Sequence, residues 1–206
     1  MQAFAGWYED VGRNKLYSRD DVLEKAMQLF WLHGYDGVTT QILVDAMGIN
    51  RKSVYAEFHN KENLYLASLD RYLCQQVPQR FVALNAPDAG LPAIFELLDR
   101  FAGAVGRAGP ERGCMLCNAA AETAYQDKAV HALVERYFDL MRSSLAHALT
   151  GAKTKKELPE EFKTNDWAAA LTTTLIGMFV MIRSQAGGDA LRATVDLAKM
   201  QLTKKS

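Results

Sequence analysis

Apolar residues along this chain recur at intervals of three and four, and no stretch alternates convincingly between apolar and polar positions. That period predicts helices throughout, an all-α chain. The first predicted helix opens at Ser18, where Ser18 and Asp21 form an S-x-x-D capping box. It runs to about His33, with Val22, Leu23, Ala26, Met27 and Phe30 as its apolar stripe, and Gly34 ends it. Thr39–Phe58, TTQILVDAMGINRKSVYAEF, then parses as a short helix, a tight turn at Gly48 and a second short helix. Leu43, Ala46 and Met47 allow one face of the first to be buried. Gly48 stands where a left-handed residue ends a helix. Asn50 stands at an N-cap, able to accept from the amide of Lys52 or Ser53, and Ile49 with Val54 makes a hydrophobic staple. Val54, Tyr55 and Phe58 anchor the second helix, which leaves Arg51, Lys52, Ser53 and Ala56 facing outward. Such a pair is a helix-turn-helix, the arrangement that places its second helix in a DNA major groove. Val22, Phe30, Leu43, Val54 and Phe58 are expected at the centre of this small three-helix domain.

From Lys61 onward the predicted helices lengthen. Asn60 caps one from Lys61 to about Gln76, with Pro78 just past its end, and Asn85–Gly90 (NAPDAG) is a turn-rich break. Pro92 suits the first turn of a helix to about Gly106, and a second break, Gly106–Gly113, precedes a helix over Cys114–Ala124. Asp127 caps a long helix to about Leu149, followed by a polar loop, Gly151–Glu161. Thr164 or Asn165 caps an apolar helix, Asp166–Gln185, and Gly187 and Gly188 separate it from a last helix, Asp189–Thr203. The expected organisation is an N-terminal arm and DNA-binding domain over residues 1–60 and a larger helical domain over 61–206. Gly12, Arg13 and Lys15 in the arm are either a solvated tail or a contact to phosphate or the minor groove.

Composition changes this picture in one respect. The 206 residues carry 24 Lys and Arg against 24 Asp and Glu, so no global basic field draws the chain to nucleic acid. DNA affinity must come from charges placed locally. The N-terminus shows no signal peptide, and the uncharged run Trp167–Ile182 falls short of the ~20 residues that span a bilayer. Three cysteines without a secretory signal fit a reducing, cytoplasmic location with free thiols.

Cys114 and Cys117 form C-x-x-C at the start of a predicted helix, where the helix dipole and Arg112 favour a thiolate. They are either buried structural residues or a redox or electrophile sensor; two cysteines without a second pair make a poor zinc site, and no other metal or cofactor site is expected. His33, His59, His131 and His147 are scattered over different elements. No phosphate loop, nucleophile elbow or catalytic carboxylate pair is present in the sequence, which argues against an enzyme.

Gly34–Leu64, GYDGVTTQILVDAMGINRKSVYAEFHNKENL, resembles the N-terminal signature of the tetracycline-repressor (TetR) family of bacterial transcriptional regulators. The residues that carry the resemblance are Tyr35, Thr39 with Thr40, Leu43 to Gly48, Val54 to Phe58, and Lys61 to Leu64. Arg112–Glu122, RGCMLCNAAAE, resembles a recurring segment of one subgroup. The resemblance implies a homodimeric regulator, a repressor released from operator DNA by a small-molecule inducer. Thr39, Thr40, Tyr55 and Lys61 match the family's backbone-contacting positions, while Arg51 and Lys52 donate to guanine or to phosphate, with Ser53 beside them. Glu57 departs from the pattern, since His or Tyr is common there, and a carboxylate must turn away from phosphate.

By the same analogy the last two helices pair with those of a partner subunit. The predicted helix Asp166–Gln185 is apolar on more than one face, Gly177 allows close approach, and Leu191, Val195, Ala198 and Leu202 form a seam of nearly heptad spacing. An inducer cavity is expected in the larger domain, lined by Phe101, Met115, Asn118, Glu122, Tyr125, Met141, Met178 and Phe179. Asn118 and Glu122, at i and i+4, are its expected polar contacts. The alternative within the same scaffold is a thiol switch using Cys114 and Cys117.

Overall fold

The computed structural model describes residues 18–104, 112–123, 127–185 and 187–204, and they are all helical or loop, with no strand among them. In chain order the helices are α1 (Arg19–His33), α2 (Thr40–Met47), α3 (Arg51–Phe58) and α4 (Lys61–Gln75), followed by α5 (Val77–Phe81) and a single 3-10 turn, Ala83–Asn85. Then come α6 (Leu91–Ala102), α7 (Met115–Glu122), α8 (Lys128–Thr154), α9 (Thr164–Ser184) and α10 (Gly188–Thr203). The arm with Gly12, Arg13 and Lys15, and Tyr125, lie outside the described residues.

The N-terminal caps form from the side chains that the sequence offers. Ser18 accepts from Asp20 N, Thr39 from Ile42 N, Asn50 from Ser53 N and Asn60 from Asn63 N. Gly48 is left-handed at φ 68° and ψ 23°, and its N–H closes α2 onto Val44 O. Between α3 and α4 the chain turns on His59, at φ 66° and ψ −49°, with Asn60 N donating to Phe58 O at 2.8 Å. This is a γ-turn of the strained, positive-φ kind.

Val22, Phe30, Leu43, Val54 and Phe58 are all buried at the centre of the small N-terminal unit. That unit is completed by α4: the ring of Tyr65 meets Phe30 edge-on at 5.0 Å and Tyr35 at 4.9 Å. Arg71 on α4 also bonds Asp20 and Glu24 on α1, at 2.6 and 2.9 Å. The lower half of α4 faces the other way, with Tyr72 and Leu73 in the core of the larger unit. One apolar cluster therefore runs from Val22 to Leu202, and α4 is shared by both halves of the molecule.

The tertiary structure adds the unexpected short helix α5, which Pro78 opens rather than prevents, and departs from the sequence pattern in three further places. First, α8 continues through Gly151 to Thr154. A Cβ at Gly151 would stand 2.2 Å from the Ala89 carbonyl oxygen, so this glycine permits a close crossing rather than ending the helix. Second, α9 starts at Thr164 with Lys163 in the cap position and no side-chain cap, so neither Thr164 nor Asn165 caps it. Third, the Leu191–Val195–Leu202 seam is turned inward onto the chain's own core, where α10 lies along α6. Lys199 reaches Asp99 and Phe95 on α6 beside that seam. Leu191, Val195 and Leu202 are therefore not free to meet a second subunit, while Ala198 of the same seam is half-buried. The exposed apolar residues of α10 are Leu197 and Met200.

Candidate DNA interface and effector cavity

The face that α3 presents to solvent carries Arg51, Lys52 and Ala56, all exposed, with Ser53 half-buried between them. One hydrogen bond joins α3 to α2: the Thr40 and Tyr55 hydroxyls meet at 2.6 Å, while within α3 the Arg51 guanidinium lies over the Tyr55 ring at 5.4 Å. Thr39 is exposed at the start of α2, where its hydroxyl caps the helix. Lys61 is bound from the other side: its Nζ donates to Tyr35 O at 2.9 Å and sits 4.1 Å from that ring's centroid. Glu57 is only 15% exposed and lies 4.0 Å from Arg19 Nε, so its carboxylate is drawn back towards α1. Arg19 also stacks over Phe58 at 4.8 Å. The sequence shows no way to see this, because Arg19 and Glu57 are far apart along the chain.

Behind this unit, α5, α6 and α9 border a partly open cavity of about 270 Å³ lined by Arg80, Leu97, Arg100, Phe101, Ala104, Gly113, Phe179 and Ile182. Phe101 and Phe179 meet edge to face at 4.8 Å in its wall. The other residues expected there are placed elsewhere. Met115, Met141 and Met178 are buried in the core without reaching the cavity, since three-residue spacing marks core and lining alike. Asn118 donates through Nδ2 to Arg112 O at 3.2 Å, holding the start of α7. Glu122 is exposed, and its Oε2 accepts the Tyr35 backbone N–H at 3.1 Å. Asn118 thus holds the turn ahead of α7 and Glu122 ties α7 to the chain after α1, and neither lines the cavity.

Arg80 was not foreseen from the sequence, although a lone arginine between Val77, Phe81 and Leu84 on a buried face is a signal that can be read. Its guanidinium lies over the rings of Tyr72 at 5.4 Å and Phe179 at 5.5 Å. Tyr72 in turn donates its hydroxyl to Cys114 Sγ at 3.6 Å. Cys114 and Cys117 are both buried free thiols, Cys114 as the N-cap of α7 and Cys117 in its first turn. Burial pushes the Cys114 thiol up. The neighbouring Cys117 thiol and the Arg80 charge outweigh this and bring it down to about 5. The same proximity to Cys114, together with burial, drives Cys117 up. The Tyr137 hydroxyl, buried and without a hydrogen-bond partner among the described residues, is held protonated by burial and by both cysteines.

A second set of contacts joins the cavity wall to the DNA-facing unit. Trp31 Nε1 donates to Gly113 O at 3.3 Å, and Gly113 lines the cavity. Arg183, one residue beyond the cavity residue Ile182, donates to Trp31 O at 3.4 Å and Leu32 O at 2.8 Å. It thereby satisfies the last carbonyls of α1. Arg112 bonds Gln28 and stacks over Trp31. Among the described residues no group of His, Cys, Asp and Glu is arranged to hold a metal ion.

A small helix-turn-helix unit with an exposed basic second helix, joined to a larger helical unit with a cavity, defines a DNA-binding transcriptional regulator. The comparisons with known proteins say which kind. Residues 22–68 match the family of bacterial regulatory proteins, tetR family, and residues 90–197 match the tetracyclin repressor-like C-terminal domain. The chain belongs to the TetR family of transcriptional regulators. It is 29% identical to the HTH-type transcriptional repressor ComR of Escherichia coli over 91% of this chain and 94% of that one. To the HTH-type regulator YezE of Bacillus subtilis it is 26% identical, over 91% and 97%. Among solved structures it superposes with TM-score 0.78 and 26% identity on the TetR-family regulator CifR, a cysteine mutant complexed with 26-base-pair operator DNA, covering 91% of this chain and 98% of that one.

Proposed function

We propose that this regulator is a homodimeric repressor, acting in the cytoplasm, that leaves its operator when a small molecule occupies the cavity between α5, α6 and α9. One observation carries the reading. The residues that line the cavity on α9 and before α7 adjoin the groups that hold the C-terminal end of α1, through Gly113 to Trp31 and Arg183 to Leu32. A molecule that displaces Phe179, Ile182 or Gly113 shifts α1, and α1 carries the helix-turn-helix. Two recognition helices in a dimer must stand about 34–36 Å apart to read successive major grooves, so a small tilt of each unit costs operator affinity. By linkage the operator and the small molecule then oppose one another's binding.

The dimer surface is supported by what the single chain leaves uncovered. On α9, Ala169, Thr173, Gly177 and Val180 form an exposed stripe at helical spacing, and Gly177 has open space on its Cβ side. Leu197 and Met200 continue an apolar surface on α10, with Val180 56% exposed and Leu197 54%. Small residues on such a stripe let two helices pack closely, and a second copy covers the apolar area. Helix α9, at 21 residues, is long and apolar enough to cross a membrane, where the uncharged run Trp167–Ile182 alone fell short. Its opposite face is packed against α8 and α7, which suits a helix shared between two subunits.

The test is binding of the purified protein to DNA from its own promoter region, read by fluorescence anisotropy against salt. Salt-sensitive binding that weakens when cavity-sized compounds are added is the expected result. Absence of salt-sensitive binding to every such fragment defeats the reading.

A thiol switch is the second reading, favoured by the lowered Cys114 pKa. Loss of operator binding under mild oxidant, abolished in a Cys114→Ser, Cys117→Ser double variant, is its expected signature. Loss that persists in the double variant eliminates it.

A further inference from the structure

Arg80 is half-buried and lines the cavity together with the exposed Arg100. Neither arginine has a carboxylate within ion-pairing distance among the described residues. The groups that Arg80 feels electrostatically are Tyr72, Cys114, Tyr137 and Cys117, and none of them is a carboxylate. Cys114 makes no hydrogen bond with the guanidinium; it bonds the hydroxyl of the ring over which the guanidinium lies. Among the described residues the contacts that Arg80 makes are to the faces of Tyr72 and Phe179, which use none of its five N–H donors. The Cys114 thiolate offsets part of its charge, but no acceptor among the described residues meets its N–H donors, and the side chain lines the cavity.

The rest of the lining sets what fits there. Leu97, Phe101, Phe179 and Ile182 give the cavity an apolar body beside the two arginines. At about 270 Å³ it lies just below the range of roughly 300–1,000 Å³ usual for ligand sites, which excludes large multi-ring compounds. A planar guanidinium fork matches a carboxylate through two parallel hydrogen bonds, a geometry that an alcohol or amide cannot equal.

From this juxtaposition we infer that the effector of this regulator is a small amphipathic carboxylate, its carboxyl group on Arg80 and its chain or single ring against Phe101 and Phe179. The inference rests on the cavity being the effector site and names the chemistry of its occupant. Arg100 at the edge adds positive potential that draws the anion in. An anion seated on Arg80 stands over Phe179, one turn of α9 from Arg183, so its arrival is felt where α1 is held.

Calorimetry on the full-length dimer distinguishes the outcomes, with hexanoate and phenylacetate as probes against hexanamide and phenylacetamide. The paired compounds have the same shape and differ in charge. The acids are expected to bind at least tenfold more tightly than the amides and to release promoter DNA. In Arg80→Gln that preference is expected to collapse, while Arg80→Lys retains part of it and Arg100→Gln weakens it less than Arg80→Gln. Amides that bind as tightly as acids, or an Arg80→Gln protein that keeps the preference, overturn the carboxylate inference and leave the cavity reading standing. If neither series binds or alters DNA affinity, both fall. Should Arg80→Gln fail to fold, the acid–amide comparison on the native protein still decides.

Discussion

The Arg183 guanidinium donates to the Leu32 carbonyl at 2.8 Å, so the helix that walls the cavity also satisfies the last turn of the helix beneath the DNA-reading pair. Charged hydrogen bonds of this kind contribute about 1.5–3 kcal/mol when partly buried. This one joins residues 151 positions apart in the chain.

Replacing Arg183 with Ala removes that tie. A loss of about 1–3 kcal/mol in folding stability is expected, because two carbonyls at the end of α1 lose their donor. The more telling expectation concerns coupling: operator affinity changes only a few-fold, while the fall in affinity caused by a cavity ligand shrinks. Anisotropy titrations with and without ligand measure both quantities, and an undiminished ligand response counts against the coupling route.

Arg51 and Lys52 stand exposed on α3 in a protein with no net charge to attract DNA. Their double replacement with Ala is expected to abolish specific binding and to reduce the slope of affinity against salt, with circular dichroism unchanged. Retained operator affinity would mean that α3 is not the reading helix.

Tyr55→Phe tests the angle of α3 rather than its charge. The change removes a 2.6 Å bond to Thr40 and is expected to cost about 0.5–1.5 kcal/mol of stability. Operator affinity should fall as α3 loosens on α2. Thermal unfolding and DNA titration of the same preparation separate the two effects.

For Cys114 the pH dependence has a definite sign. Its thiol is lowered from the usual 9.0 to about 5 in the folded chain, so folding releases a proton between those values. Its contribution to stability is therefore complete above about pH 9 and is lost as pH falls towards 5. Native protein should gain stability as pH rises through that window, and Cys114→Ser should flatten the profile. Arg80→Gln, by removing the neighbouring cation, should move the thiolate absorbance midpoint upward.

Gly151 and Gly177 both lie inside helices, where Gly→Ala ordinarily stabilises by about 1 kcal/mol. Gly151→Ala is expected to do the opposite, costing about 1–3 kcal/mol, because its Cβ would meet the Ala89 carbonyl at 2.2 Å. A Cβ added at Gly177 meets nothing within 4 Å, so the side chain of Gly177→Leu starts in open space. It should leave each subunit folded and shift sedimentation from dimer to monomer.

How much of this was legible beforehand differs from element to element. The helix-turn-helix was readable residue by residue because its signals are local. Asn50 caps with its own side chain, Gly48 supplies a left-handed turn, and the anchors lie within one or two turns of each other. Such features follow from backbone geometry that a few neighbouring residues decide. The destination of apolar faces is a different matter. The Leu191–Val195–Leu202 seam was visible, yet whether it met α6 or another subunit depended on which surface came to lie beside it. Gly151 shows the same limit: a glycine that reads as a stop is needed for a crossing with Ala89, sixty-odd residues away.

By itself, then, the sequence determined an all-helical chain, the reading pair and its basic face, and membership of the family. Only the tertiary structure decided that Glu57 turns back to Arg19, that Glu122 holds Tyr35, and that Arg80 lines a cavity with no carboxylate paired to it among the described residues. Helical period and capping act over a few residues, whereas the partner of a buried charge is chosen by packing between helices that no local pattern encodes.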